Sequence, residues 1–139
     1  MVARRAAFKL LEGRMPMRIG YLSLDEVNQS LARQLASKIG VELHSLSFRE
    51  DEPVGSCDAY LYELDCLTQL DRRELLARIV AGPAQRPAAV HSWNVSPNER
   101  RALHGKGVDV FRRLEEVVFR RLRRAVRARR RQAQRLSTT

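Results

Sequence analysis

The residues with the greatest chemical reach lie together in CDAYLYELDCL, from Cys57 to Leu67. Asp58 opens an apolar run there, and Glu63 and Asp65 close it. Tyr60, Leu61, Tyr62 and Leu64 are the aromatic and apolar types that favour a strand covered on both faces. A buried strand that delivers acids at its carboxyl end places a site in the manner of open parallel α/β sheets. Side chains alternate along a strand, so Glu63 and Asp65 are expected on one face.

A second group is cationic. Arg120, Arg121, Arg123, Arg124, Arg127, Arg129, Arg130, Arg131 and Arg135 crowd one segment. Such clusters attract phosphate backbones or an acidic partner. They equally suit a solvated helix end, where they complement the helix dipole. Phe119 is the one aromatic nearby, so no platform for base stacking accompanies them. The charge is uneven: Met17 to Val110 carries 11 Lys+Arg against 13 Asp+Glu, whereas Phe111 to Thr139 carries 11 against 2. The net charge of +10 therefore belongs to the ends of the chain. Arginine outnumbers lysine throughout, as a GC-rich genome also produces, so the raw count weighs little.

Other chemistry is poorly supported. Cys57 and Cys66 flank one strand, whose two ends cannot meet in a disulfide. Their spacing, without histidine partners, also argues against zinc. Reduced thiols point to a cytoplasmic protein. His44 lies inside a strand pattern, where a lone histidine is structural, and His91 and His104 have no ligand partners at useful spacing. No Gly-rich phosphate loop, nucleophile elbow or metal motif is present. The expectation is a binding module with no cofactor and no metal, not an enzyme. No apolar run approaches membrane-spanning length, and no secretory signal is visible.

The elements that must position these groups follow in order. Residues 1–16 form a basic leader, either a short amphipathic helix or loosely ordered. Arg18 to Leu24 reads as the first strand. Ser23 stands three residues before Glu26 in capping-box spacing. Val27, Leu31, Leu35 and Ile39 share a helical face with Ala32 and Ala36 beside them, and Gly40 closes the helix. Val41 to Phe48 is the second strand. Arg49 to Ser56 is an acidic loop too short for a full crossover helix. The central strand, Asp58 to Leu64, follows. Asp71 to Ala81 is the next helix, capped by Thr68 or Asp71 and stopped at Gly82; Pro83 to Pro87 is a loop. Ala88 to Trp93 is the fourth strand. Ser96-Pro97-Asn98-Glu99 starts the clearest helix, and Val108 to Arg112 is the fifth strand. Leu114, Val117, Val118, Leu122, Ala125 and Val126 form one stripe of a last helix. This alternation implies a parallel sheet with helices on both faces, a three-layer α/β sandwich.

From Met17 to about Val126 the chain resembles the receiver domain of bacterial response regulators. The strongest local match is SPNERRALHGKGVDVFRRL, Ser96 to Leu114; Asp58 to Leu64 resembles the family's third strand. The resemblance implies a flavodoxin-like five-stranded sheet in the order 2-1-3-4-5, with the second helix short or missing. It also implies a site. The family's metal-holding acidic pair falls on Ser23 and Leu24, with Asp25 one position on. The phosphoryl acceptor falls on Glu63, where glutamate imitates the charge of an acyl phosphate rather than accepting one. Asp65 is the alternative acceptor. The hydroxyl at the end of the fourth strand falls on Ser92, the conserved lysine of the family on Arg112 or Arg113, and the switch aromatic on Phe111. The expected function is a degenerate, or pseudo-, receiver in two-component signalling that binds a protein partner without phosphorylation. Its partner face comprises Trp93, the Ser96 to His104 helix and Phe111, with Glu63 held near Arg112 or Arg113 in place of a phosphoryl group. The alternatives are phosphoryl acceptance at Asp65 and nucleic-acid association through residues 127–139, an Arg-rich tail continuing the last helix. A homodimer is left open.

Overall fold

Alternation governs the central strand. Ala59, Leu61 and Glu63 are buried on one face, and Tyr60 and Tyr62 stand half-buried on the other. The computed structural model describes residues 16–47, 57–81 and 86–137. Within them five strands, β1 (Arg18–Leu22), β2 (Glu42–Ser45), β3 (Ala59–Glu63), β4 (Ala88–His91) and β5 (Asp109–Phe111), form one sheet. The order is β2-β1-β3-β4-β5, and every pairing is parallel. Four helices lie among the described residues: α1 (Glu26–Ile39), α2 (Gln69–Ala81), α3 (Pro97–Gly105) and α4 (Glu116–Ser137).

Two apolar layers hold the sandwich together. Ile19, Tyr21, Leu61 and Ala89 meet Ala32 and Ala36 of α1 and Val118, Phe119, Leu122 and Val126 of α4. On the opposite face Leu22, Leu64 and Val90 meet Leu75 of α2 and Leu103 of α3. The three-layer α/β sandwich expected from the strand–helix alternation, with the flavodoxin-like strand order that the resemblance implied, is therefore the fold. Gly40 terminates α1 in the left-handed region at φ 87°, and its N–H bonds the Ala36 carbonyl.

Several local expectations are corrected. Asp25, not Ser23, caps α1, accepting from the Val27 N–H at 2.9 Å; the Ser23 hydroxyl is directed to Glu63 instead. Val27 is 75% exposed and Leu31 37% exposed, so they leave the buried face to Ala32, Ala36 and Ile39. At this end of α1 the inward positions go to Asn28 and Gln29, which bond Glu63 and the Ser23 carbonyl. The third strand stops at Glu63, and Asp65 lies in the following turn, so the two acids do not share a strand face. The fourth strand stops at His91, which puts Ser92 and Trp93 in the connection to α3. The leader up to Met15, the acidic loop with the place of the second helix, and the residues around Gly82 lie outside the described residues. Among those described, no helix is long and apolar enough to cross a membrane.

The last helix runs unbroken to Ser137, eleven residues past its last buried side chain, Val126. Two arginines on one flank secure it. Arg123 donates to the Ile39 carbonyl at 2.7 Å, and Arg130 pairs with Asp58 at 3.3 Å. These two positions are seven residues apart, hence on the same side of the helix.

Phe119 is fully buried and Val27 largely exposed. In urea titrations Phe119→Ala should lower the unfolding free energy by about 3–5 kcal/mol. Val27→Ala should change it by less than about 0.5 kcal/mol. Equal losses would return the first turn of α1 to the core.

Candidate functional site

The carboxyl ends of β1, β3 and β4 converge, and the turns after them bring two carboxylates into separate settings. Glu63 is the last residue of β3 and only 4% exposed. Its Oε1 accepts from Ser23 Oγ at 2.5 Å, and its Oε2 from Asn28 Nδ2 at 2.8 Å. Asn28 lies in the first turn of α1, at the positive end of that helix dipole. Among the described residues Glu63 makes no ion pair, so its hydrogen bonds and the helix end carry its burial.

Beneath Glu63 lies a second polar pair. Tyr21 Oη and His91 Nε2 share a buried hydrogen bond of 2.8 Å, with ring centroids 5.7 Å apart. Burial, reinforced by the neighbouring Glu63, pushes the Tyr21 phenol well above its ordinary value, so it stays protonated. Burial holds the His91 imidazole below its ordinary value, although Glu63 and Asp65 pull the other way. Cys66 is the nearest thiol. It donates to the Glu63 carbonyl at 3.5 Å and accepts from the Leu24 N–H at 3.4 Å, and burial raises its pKa.

Asp65 faces the other way, towards α2 and the end of β4. Its Oδ1 accepts from Ser92 Oγ at 2.5 Å, and its Oδ2 from the Trp93 N–H at 2.8 Å. Arg72 of α2 approaches Oδ1 to 3.5 Å. The same guanidinium grips Glu99 of α3 with two bonds of 3.1 Å, through Nε and Nη2, and donates to the Asn94 carbonyl at 2.5 Å. Ser92 Oγ also accepts from the Asn94 N–H at 3.1 Å. Glu99 is doubly committed. It closes the capping box of α3 by accepting from the Ser96 N–H at 2.9 Å, while Ser96 Oγ accepts from the Glu99 N–H. Burial opposes ionisation of Glu99, but Arg72 and the Ser96 N–H outweigh it and hold this carboxyl below its usual range.

The structure thus brings Asp65 and Ser92 together and separates them from Glu63. Arg112 and Arg113 are exposed and lie over the Trp93 ring, with guanidinium carbons 5.7 and 4.9 Å from its centroid. The expectation that one of them faces Glu63 is therefore corrected. The cation beside the carboxylates is Arg72, which sequence reasoning missed. A signal was available: Arg72 sits near the amino end of a helix, where the dipole disfavours a cation, so a local anion is needed to hold it. Trp93 is 59% exposed. Phe111 is half-buried against the α1–α4 core, with the Arg121 guanidinium 5.9 Å from its ring centroid. Arg120 pairs with Glu116 at 2.9 Å, while Arg124, Arg127, Arg129 and Arg131 point from α4 into solvent.

The residues present do not fit a divalent cation at the family's metal position. Ser23 is engaged by Glu63, Leu24 is apolar and exposed, and Asp25 caps α1. Among the described residues, no three His, Cys, Asp or Glu side chains come together to hold a metal.

Comparison with known proteins supports the fold alone. No protein-family model matches the sequence, and no curated protein matches it. Solved structures do. The signal receiver domain of a putative LuxO repressor protein from Vibrio parahaemolyticus superposes with a TM-score of 0.66 at 12% identity, covering 90% of this chain and 99% of that one. A CheY-like response regulator receiver domain protein from Methanospirillum hungatei gives 0.64 at 12% identity, covering 85% and 99%. A response regulator receiver protein from Pseudoalteromonas atlantica gives 0.62 at 15% identity, covering 78% and 95%.

The buried His91 yields a pH dependence. Its folded-state pKa is lowered, so as pH falls the unfolded chain takes up the proton first. The stability from neutral His91 is complete above about 6.5 and is lost as pH drops towards the lower folded-state value. Urea unfolding between neutral pH and the carboxylate range should show this decline, and His91→Gln should flatten it. An unchanged slope in the variant would place the titration elsewhere.

Proposed function

We propose that this chain is a cytoplasmic, non-catalytic signalling module of receiver type whose partner face is held engaged by its own Asp65, without phosphorylation. The observation that carries this reading is the contact of Ser92 Oγ with Asp65 Oδ1 at 2.5 Å, with Arg72 beside the same oxygen. The receiver resemblance implies that a phosphoryl group on the sheet edge is read by the hydroxyl after the fourth strand and neutralised by a cation. Here a resident carboxylate occupies the hydroxyl, and Arg72 supplies the cation.

The consequence passes through hydrogen bonds and ion pairs. Asp65 fixes Ser92 and the Trp93 N–H, and Arg72 fixes Asn94 and Glu99. Glu99 caps α3. The path from carboxylate to α3 is therefore continuous, and it ends beside Trp93 and its two stacked arginines. Charge-assisted hydrogen bonds of this kind contribute about 1.5–3 kcal/mol each. The Asp65 side chain keeps 29% exposure, which places the ion pair near the lower end. Glu63 has a different part: it ties β3 to α1 and does not stand in for a phosphoryl group.

Phosphoryl acceptance at Asp65 is the competing reading. It requires an oxygen free to attack and a held metal, whereas both Asp65 oxygens are engaged. Incubation with acetyl phosphate and Mg²⁺ should leave the intact mass unchanged. Trp93 is the sole tryptophan, so its fluorescence reports on the same surface. It should ignore the phosphodonor and shift in Asp65→Asn. A phosphoryl adduct on Asp65, absent from Asp65→Asn, would establish the competing reading.

A further inference from the structure

We infer that the solvent face of α4 is a docking strip for the phosphate backbone of duplex DNA, bound without sequence preference. This role is independent of the state of Asp65. At 100° per residue, Arg120, Arg124, Arg127, Arg131 and Arg135 fall on one line along the helix. The line lies opposite Val118, Phe119, Leu122 and Val126, which are buried. All five arginines are exposed. From Arg120 to Arg135 the line extends over about 22 Å at 1.5 Å per residue.

The middle of the line carries cations without acidic neighbours. Glu116 is the last acid in the chain, and it pairs with Arg120. Arg124, Arg127 and Arg131 have no anionic partner among the described residues. Like charges at i and i+4, as in Arg120/Arg124, Arg127/Arg131 and Arg131/Arg135, weaken a helix by themselves. The helix is nonetheless held in place, because Arg123 and Arg130 fasten its flank to Ile39 and Asp58. Seven of the nine arginines of α4 thus divide into a pair that anchors and a row that faces outward on a fixed support.

The chemistry of the strip selects its partner. A membrane-surface helix needs its apolar face free, and the apolar face of α4 is already in the core. An acidic protein partner would be expected to meet buried aromatic anchors, and the strip carries none. Regularly spaced guanidinium groups match a repeated phosphate, which arginine binds through two donors at once. Without aromatics to stack on bases, the strip suits a duplex backbone better than a single strand, and backbone contacts carry no sequence information.

The test is fluorescence anisotropy of the full chain with a labelled mixed-sequence duplex over a range of salt. The log-affinity should fall against log salt with a slope of roughly −4, from about 0.9 per phosphate contact. Replacing Arg124, Arg127 and Arg131 with glutamine should flatten that slope by roughly 2.7. A control with Arg33→Gln, Arg86→Gln and Arg101→Gln loses the same net charge from exposed positions elsewhere and should keep the slope. All six side chains are exposed, so circular dichroism should show both variants folded. An Arg124→Lys, Arg127→Lys, Arg131→Lys variant should retain the slope. Absence of duplex binding, equal flattening in the control, or tighter binding to polyglutamate or to phosphatidylserine vesicles than to the duplex would each overturn the inference.

Discussion

The upper edge of this molecule depends on one carboxylate. Asp65 leaves the sheet one residue after Leu64, in a turn, and is met there by a hydroxyl and a backbone N–H from the β4–α3 connection and by a guanidinium from α2. Deleting any of these partners leaves the others with a half-satisfied polar group, which costs more than the bond itself contributes. Arg72 extends the dependence. Its five donors reach Asp65, Ser92, Asn94 and Glu99, so α2, the β4–α3 connection and α3 are set by a single planar group. Lysine could not replace it, because a point charge lacks the fork that grips Glu99 while reaching three other residues.

Glu63 solves a separate problem. A carboxylate at 4% exposure among apolar side chains is costly unless its oxygens are filled. Ser23 and Asn28 fill them. The Tyr21–His91 pair below continues the polar path into the core, with both groups held in their neutral forms by burial. Hydroxyl and amide groups therefore meet the buried carboxylate at the carboxyl ends of β1 and β3. The edge is closed by its own side chains.

Much of this was legible in the residues. The alternation of strand and helix patterns led to the parallel three-layer sandwich, because right-handed crossovers leave few topologies, and the receiver resemblance supplied the sheet order. Ser96-Pro97-Asn98-Glu99 marked α3 to the residue, since a cap, a proline and a reciprocal acid are all local signals. Ser92 and Asp65 were named as neighbours of one site. The failures were tertiary. Ser23 has capping-box spacing, yet a buried acid forty residues away competes for its hydroxyl. Val27 follows the helical period, yet polar Asn28 and Gln29 take the inward positions beside it to bond Glu63 and the Ser23 carbonyl. Arg72 was missed because three of its acceptors, Ser92, Asn94 and Glu99, are distant in sequence and appear only when α2, the β4–α3 connection and α3 meet. The arginine row of α4 was visible as composition, but its division into anchoring and outward-facing members needed the positions of Ile39 and Asp58.

The central claim is that Ser92 and Asp65 act as one coupled unit at the head of the proposed partner face. A double-mutant cycle with Asp65→Ala, Ser92→Ala and the double variant, read by urea unfolding with Trp93 fluorescence, measures that coupling directly. The account predicts an interaction energy of about 1 kcal/mol or more, because each single change strands the other group. Additivity within about 0.5 kcal/mol would contradict it, since the two side chains would then be neighbours without being partners.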